Sequence, residues 1–319
     1  QLDIIQRALH GQHSLVVLPT GVGKSLCYQL PSLYFEGLTL VISPLVALMK
    51  DQVDQARKNV LRAGFINSSL NRSERQRRLH QLQERKISLL YVTPERFRKP
   101  EFWEALQGQQ IDLLAVDEAH CISQWGHDFR PDYSRLGDIR ERLHNPPTMA
   151  LTATATPAVR EDIVRQLNLT ESEMLQFVSE VERPNLYIEV NEVYGLDEKL
   201  RSIVGLTHLT QGSLIVYFSL IQTLEKCASE LARLNIPFGK YHGQLPKPHR
   251  RHSQELFLSG EQNLMLATPA FGLGIDKADI RGVVHAELPG SLEAYYQEIG
   301  RAGRDGHPSR CHVLFDSDD

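Results

Sequence analysis

Ser14-Leu15-Val16-Val17-Leu18-Pro19-Thr20-Gly21-Val22-Gly23-Lys24-Ser25 runs from an apolar strand pattern through a glycine-spaced turn into a helical pattern. Glycines let a backbone wrap around phosphate groups with its amides pointing inward, and the helix that follows adds a positive dipole end. Lys24 supplies a cation for the outer phosphates, and the Ser25 hydroxyl is placed to ligate Mg²⁺. The candidate nucleotide loop is therefore Leu18, Pro19, Thr20, Gly21, Val22, Gly23, Lys24 and Ser25, with Leu18 where the commoner form carries its first glycine. A glycine-rich turn without ligand is the alternative, and the strand before and helix after it count against that.

Working outward, short Val/Ile/Leu-rich runs alternate with amphipathic stretches. Strands are expected at Leu15 to Leu18, Thr39 to Ile42, Ile87 to Val92, Leu113 to Val116 and Met149 to Thr152. Their continuous apolar character suits parallel strands covered on both faces. Helices are expected at Lys24 to Phe35, Leu45 to Leu61, Ser73 to Glu84 and Pro157 to Leu167. The pattern breaks at Arg183-Pro184-Asn185 and restarts with strands at Leu186 to Val190, Leu214 to Phe218, Leu264 to Ala267, Val283 to His285 and Val313 to Phe315. Helical runs at Ile221 to Leu234, His249 to Leu258 and Leu292 to Ala302 lie between them. Two α/β doubly wound domains with mainly parallel sheets follow, residues 1–182 and 183–319.

The strand at Leu113 to Val116 delivers Asp117-Glu118-Ala119-His120. Doubly wound folds place reactive groups at strand ends, and two adjacent acids there divide the labour: Asp117 to hold Mg²⁺, Glu118 to act as general base on water. A pair of solvated loop acids is the bland alternative. The 319 residues carry 35 Lys+Arg against 39 Asp+Glu, a formal charge of −4, so net charge alone gives no argument for nucleic-acid binding. No run of about 18 apolar residues offers a membrane span. Cys27, Cys121, Cys227 and Cys311 are far apart, which suits buried reduced thiols and offers no zinc spacing.

With these residues stand Gly23 to Pro31, Ser43 to Val53, Tyr91 to Phe97, Asp117 to Pro131, Leu151 to Thr156, Ala267 to Lys277 and Gln297 to Gly306. Together they resemble the RecQ family of ATP-dependent DNA helicases, of helicase superfamily 2, over nearly the whole chain. The stretch Cys121 to Pro131 separates that family from the RNA-directed DEAH proteins. The resemblance implies two RecA-like motor lobes with ATP held between them, and ATP and Mg²⁺ as cofactors with no zinc in this chain. Gln1 falls where the family reads adenine, and Asp276 where it meets the ribose. Arg304 is the expected arginine finger, supported by Arg301 and linked to the nucleotide or Glu118 by Gln297, the two arginines sharing a face if helical. DNA contacts are implied at Ser43, Pro44, Thr93, Arg96, Trp125, Phe129, Arg130, Tyr241, His242 and Thr268, with Tyr133 in the same aromatic-rich loop.

Exposed aromatics can stack on bases for about 1 to 3 kcal/mol each without sequence preference; ordinary core packing competes with that reading. The run from Arg57 to Lys86 holds nine basic residues against Glu74 and Glu84, and a solvated helix face is preferred there over a phosphate surface. The resemblance implies single-stranded and duplex or branched DNA as partners, movement 3′ to 5′ and duplex unwinding in DNA repair and recombination; no membrane is expected, and the oligomeric state stays open with a monomer preferred. The location is cytoplasmic in a bacterium and nuclear in a eukaryote. Many family members continue into zinc and winged-helix regions that these residues do not include. A DNA-stimulated ATPase with weak unwinding is therefore the alternative, with an RNA helicase or a nonenzymatic scaffold as rivals.

Overall fold

A computed structural model describes residues 1–317 except 20, 45, 60, 125–127, 180–182, 273, 274 and 276. Thr20, Trp125 and Asp276, all expected at the site, lie outside the described residues. The chain divides into two compact units, Gln1–Val181 and Glu182–Asp319.

The first unit holds strands β1 His13–Val17, β2 Leu38–Ile42, β3 Ala63–Ile66, β4 Leu89–Val92, β5 Ile111–Val116, β6 Thr148–Thr152 and β7 Met174–Val178. They form one sheet in the order β3-β4-β2-β5-β6-β1-β7, and every pairing is parallel. Its helices are α1 Leu2–Leu9, α2 Leu26–Gln29, α3 Val46–Lys58, α4 Arg72–Gln83, α5 Pro100–Leu106, α6 Leu136–Arg142 and α7 Pro157–Gln166. Successive strand residues point to opposite faces, and both faces are apolar. Leu40 and Ile42 of β2 pack with Phe102, Ile139 and Ile163 from α5, α6 and α7, while Val41 packs with Ile4, Cys27 and Met49 from α1, α2 and α3. Each fully buried aliphatic side chain of this kind contributes about 1.5–3 kcal/mol.

The second unit repeats the plan with β8 Leu186–Glu192, β9 Ser213–Tyr217, β10 Gly239–Tyr241, β11 Leu264–Ala267, β12 Ile280–His285 and β13 Ser309–Phe315. The order is β10-β11-β9-β12-β13-β8, again all parallel. Helices α8 Gly195–Leu209 and α9 Ile221–Arg233 contribute Ile203 and Leu224 to one face. Helices α10 Lys247–Ser259 and α11 Leu292–Ile299 contribute Phe257 and Ile299 to the other. All four cysteines are buried and free, and burial pushes each thiol up, away from the reactive thiolate. No helix among the described residues is long and apolar enough to cross a membrane.

Two helical expectations need correction. The helix expected over 24 to 35 is only α2 plus a 3-10 turn at Pro31–Leu33, because Pro31 has no N–H and its ring crowds the preceding turn. The helix expected to reach Ala302 stops at Ile299, with Gly300 as its C-cap. Arg301 and Arg304 therefore lie in the turns beyond it and do not share a helical face. The other ends are set locally: Asn71 accepts from the Glu74 amide at 2.9 Å, and Ser291 from the Ala294 amide at 3.1 Å.

Candidate functional site

In the first unit the candidate residues leave the carboxyl ends of strands. The loop of residues 18–25 follows β1, Ser43-Pro44 follow β2, Thr93-Pro94 follow β4 and Asp117-Glu118 follow β5. Strand β6 lies between β1 and β5, so the nucleotide loop and the acid pair emerge on either side of the segment after Thr152.

Gly21 and Gly23 adopt φ values of 85° and 81°, which side-chain-bearing residues rarely tolerate. That backbone brings the loop back over itself, and the Lys24 ammonium donates to the carbonyls of Leu18 at 3.0 Å and Pro19 at 3.2 Å. The Gln1 carboxamide donates to the Val22 carbonyl and, at 3.4 Å, to that of Gly23. The glutamine expected to read adenine is thus seated on the loop expected to hold the phosphates. Ser25 is half-buried at the start of α2.

Asp117 is set by its surroundings. Burial, reinforced by the charge of Glu118, raises its carboxyl to about 7, against the opposing pull of Lys24. Glu118 sits at φ 49°, ψ 49°, a left-handed conformation costly for a residue with a side chain and concentrated at functional sites. Its buried Oε2 has no hydrogen-bond partner and stands 3.4 Å from Nδ1 of His120. The half-buried Asp117 carboxylate and the half-buried Ser25 hydroxyl at the start of α2 are hard oxygen donors of the kind that suits Mg²⁺, with the Glu118 carboxylate next to them left for water.

The same surroundings give a stability test. Asp117 has an unfolded value near 3.8 and a folded value of about 7, so the fold holds its proton longer than the unfolded chain does. Its contribution to stability is present below the unfolded value and is lost as pH rises through the folded one. Without Mg²⁺ or nucleotide, Asp117→Asn should raise the melting temperature at pH 8, and the gain should shrink as pH falls below 7. An unchanged melting curve at pH 8 would contradict the assigned environment.

The structure adds residues the motif reading left without a role. His120 Nδ1 meets Thr152 Oγ1 at 2.8 Å. That oxygen donates to the Thr154 carbonyl at 3.0 Å and accepts from the Thr154 amide at 3.2 Å. The acid pair is thereby wired to the segment after β6, through a threonine whose only sequence signal was its place in Leu151 to Thr156. Among the described residues, His120, Cys121 and Asp128 also bring an imidazole, a thiol and a carboxylate within 4.8 Å of one another. Arg130 already donates to the same Asp128 oxygen, from Nη2 at 3.0 Å and Nε at 3.3 Å, which opposes a cation there.

Arg130 also reaches the Pro44 carbonyl at 3.3 Å, joining two segments expected to meet DNA. Phe129 and Arg96 are half-buried. Burial distinguishes the other residues expected to meet DNA. Tyr133 is fully enclosed, its hydroxyl donating to the Asp117 carbonyl at 3.3 Å, so it braces the acid pair and offers no face to a base. Ser43, Pro44, Thr93 and Thr268 are covered at their strand ends, so the expected hydroxyl grip on phosphate is not displayed at the surface. His242 is 3% exposed and its Nε2 pairs with Glu225 at 2.8 Å, which holds the imidazole inside the fold. Tyr241 remains half-buried beside Phe271, with Arg250 over its ring.

Several arginines of the basic run are also accounted for. Arg57, Arg62, Arg75, Arg78 and Arg85 donate to the carbonyls of Ala63, Arg85, Leu70, Phe65 and Gly108. That favours the structural reading over a phosphate surface.

In the second unit Arg301 is buried, and its guanidinium donates to the Gly272 carbonyl. A Cβ at Gly272 would meet that guanidinium at 2.5 Å, so a larger residue there would push the Arg301 head group aside. Arg304 and Gln297 are half-buried. Arg301 is therefore an internal strut in this geometry.

Two wholly parallel α/β units, one presenting a glycine-wrapped lysine loop and a strand-end acid pair, define the nucleotide-driven motor class. Residues 1–163 match the model of the DEAD/DEAH box helicase family, and residues 196–306 match that of the helicase conserved C-terminal domain. The chain belongs to the DEAD/DEAH box helicase family. It is 45% identical to the ATP-dependent DNA helicase RecQ of Bacillus subtilis, over 97% of this chain and 52% of that protein. It is 42% identical to the RecQ of Haemophilus influenzae, over 100% of this chain and 51% of that protein. The chain thus spans about half the length of these relatives. The structure of Mycobacterium smegmatis helicase Lhr bound to ssDNA and AMP-PNP superposes with a TM-score of 0.76, covering 98% of this chain and 45% of that one at 22% identity. That likeness shows the fold.

Proposed function

We propose that this chain is the motor core of an ATP-dependent DNA helicase that moves 3′ to 5′ along one strand and separates duplex or branched DNA. The observation that carries the reading is the acid pair: a half-buried Asp117, its carboxyl raised to about 7, beside a strained Glu118 and against the opposing pull of Lys24. RecQ relatives at 42–45% identity support DNA over RNA as the track.

The loop amides and Lys24 bind the phosphates, and Gln1 holds the adenine. Ser25 and Asp117 would hold Mg²⁺, which when bound neutralises phosphate charge. Glu118 accepts the proton of the attacking water, and the His120 to Thr152 contact fixes the segment behind it. Arg304 supplies positive charge to the γ-phosphate, with Asp276 and Gln297 as further nucleotide contacts. Phe129, Arg130, Arg96, Trp125 and Tyr241 hold the strand without reading its sequence. ATP turnover then moves a monomer along it. Duplex melting costs about 1.4 kcal/mol per step on average, so net opening beyond a few pairs needs ATP.

Strand separation on duplexes with a 3′ or a 5′ single-stranded tail tests this. ATP-dependent separation of the 3′-tailed substrate is expected. Separation of the 5′-tailed one alone would overturn the direction, and turnover without separation would leave the weakly unwinding translocase.

A further inference from the structure

The turn that carries Arg304 is fixed on both of its sides. On one, Arg183 Nη2 donates to the carbonyls of Ala302 at 2.8 Å and Gly303 at 3.0 Å. Asn185 Nδ2 donates to Gly303 at 2.9 Å and His307 at 3.0 Å. The Gly303 amide is spent on the Ile280 carbonyl at 2.9 Å and the Ser309 amide on that of Asn185 at 2.9 Å. On the other side, Arg281 donates from Nη1 to Asp305 Oδ1 at 3.0 Å and pairs with Oδ2 through Nη2. Gly303 has φ 55°, and a Cβ there would collide with Asn185 Nδ2. Arg304 is thus the one residue between two anchored neighbours, in a turn made rigid by donors from elsewhere in the chain.

We propose that Arg183 and Asn185 are positioning residues for Arg304. In sequence they mark a break between two patterned halves; in the structure they hold the carbonyls just before the arginine. The inference rests on the proposed motor function. An arginine finger stabilises charge only from a preorganised position, and a displacement of about 1 Å costs about 10²-fold in rate. The clamp supplies that position from the first described residues of the second unit.

The test measures DNA-stimulated ATP turnover by the 319-residue chain carrying Asn185→Asp, Arg183→Lys, Arg304→Ala, or Arg304→Ala combined with Asn185→Asp. Asn185→Asp keeps the acceptor facing Arg183 Nε at 3.4 Å but cannot donate to Gly303 or His307. It should lower kcat by about 10- to 100-fold while leaving the KM for ATP, single-stranded DNA affinity and the melting temperature close to those of the parent. Arg183→Lys, whose ammonium keeps charge and N–H donors but loses the planar fork, should fall between the parent and Asn185→Asp. In the Arg304→Ala background Asn185→Asp should add no further loss, because residues acting through one group are not additive. Parental kcat in Asn185→Asp, or a loss that multiplies with that of Arg304→Ala, would overturn the clamp. An inactive parent chain, or an Arg304→Ala variant of full activity, would instead overturn the motor reading beneath it.

Discussion

Arg304→Ala should lower DNA-stimulated ATP hydrolysis by about 10³- to 10⁵-fold, equivalent to about 4–7 kcal/mol of lost transition-state stabilisation, with ATP still bound. Negative charge develops on the phosphoryl group as it leaves, and a fixed guanidinium is worth most where water is excluded. Arg304 is half-buried in a turn held on both sides, whereas Arg301 is buried against Gly272. The two arginines should therefore separate by experiment. Arg304→Ala should leave the melting temperature near that of the parent, and Arg301→Ala should lower it. Equal effects of both on stability, with turnover intact, would assign both to the scaffold.

Glu118→Gln should reduce turnover by about 10²- to 10⁴-fold, the usual contribution of a general base, while ATP and DNA are both retained. The substitution preserves shape, and the cost of the left-handed backbone at 118 is the same for both side chains. It also removes the charge that, after burial, does most to raise the Asp117 carboxyl. Asp117 should therefore ionise at lower pH in the variant, and ATP binding with Mg²⁺ should weaken less than in the parent as pH falls from 8 towards 6. Isothermal titration over that range, read beside turnover, checks both effects. Undiminished hydrolysis by Glu118→Gln would remove it from the chemistry.

Where a single local rule decides the outcome, the sequence was readable. Continuous apolar runs announced strands covered on both faces, as at β2, and Gly21 and Gly23 announced a loop that only glycine can close. Elements shaped by neighbours distant in sequence were not readable. Strand β10 is three residues, Gly239–Tyr241, too short to show a period, and β7 is an edge strand with mixed burial. Residue type alone does not decide exposure either: Ser43, Thr93 and His242 look like surface grips in sequence and are covered in the fold. Arg183 and Asn185 looked like a break because their partners lie about 120 residues away. The Thr152 contact with His120 was hidden for the same reason, since two strand ends meet only once the sheet order is known.

The central claim, that this chain is an ATP-driven DNA motor, is tested most directly by steady-state ATP hydrolysis with Mg²⁺, measured with and without single-stranded DNA, with Glu118→Gln as control. DNA should stimulate turnover strongly, RNA of the same sequence should stimulate it less, and the variant should lose turnover. DNA bound with hydrolysis unchanged, or equal turnover in the variant, would contradict it.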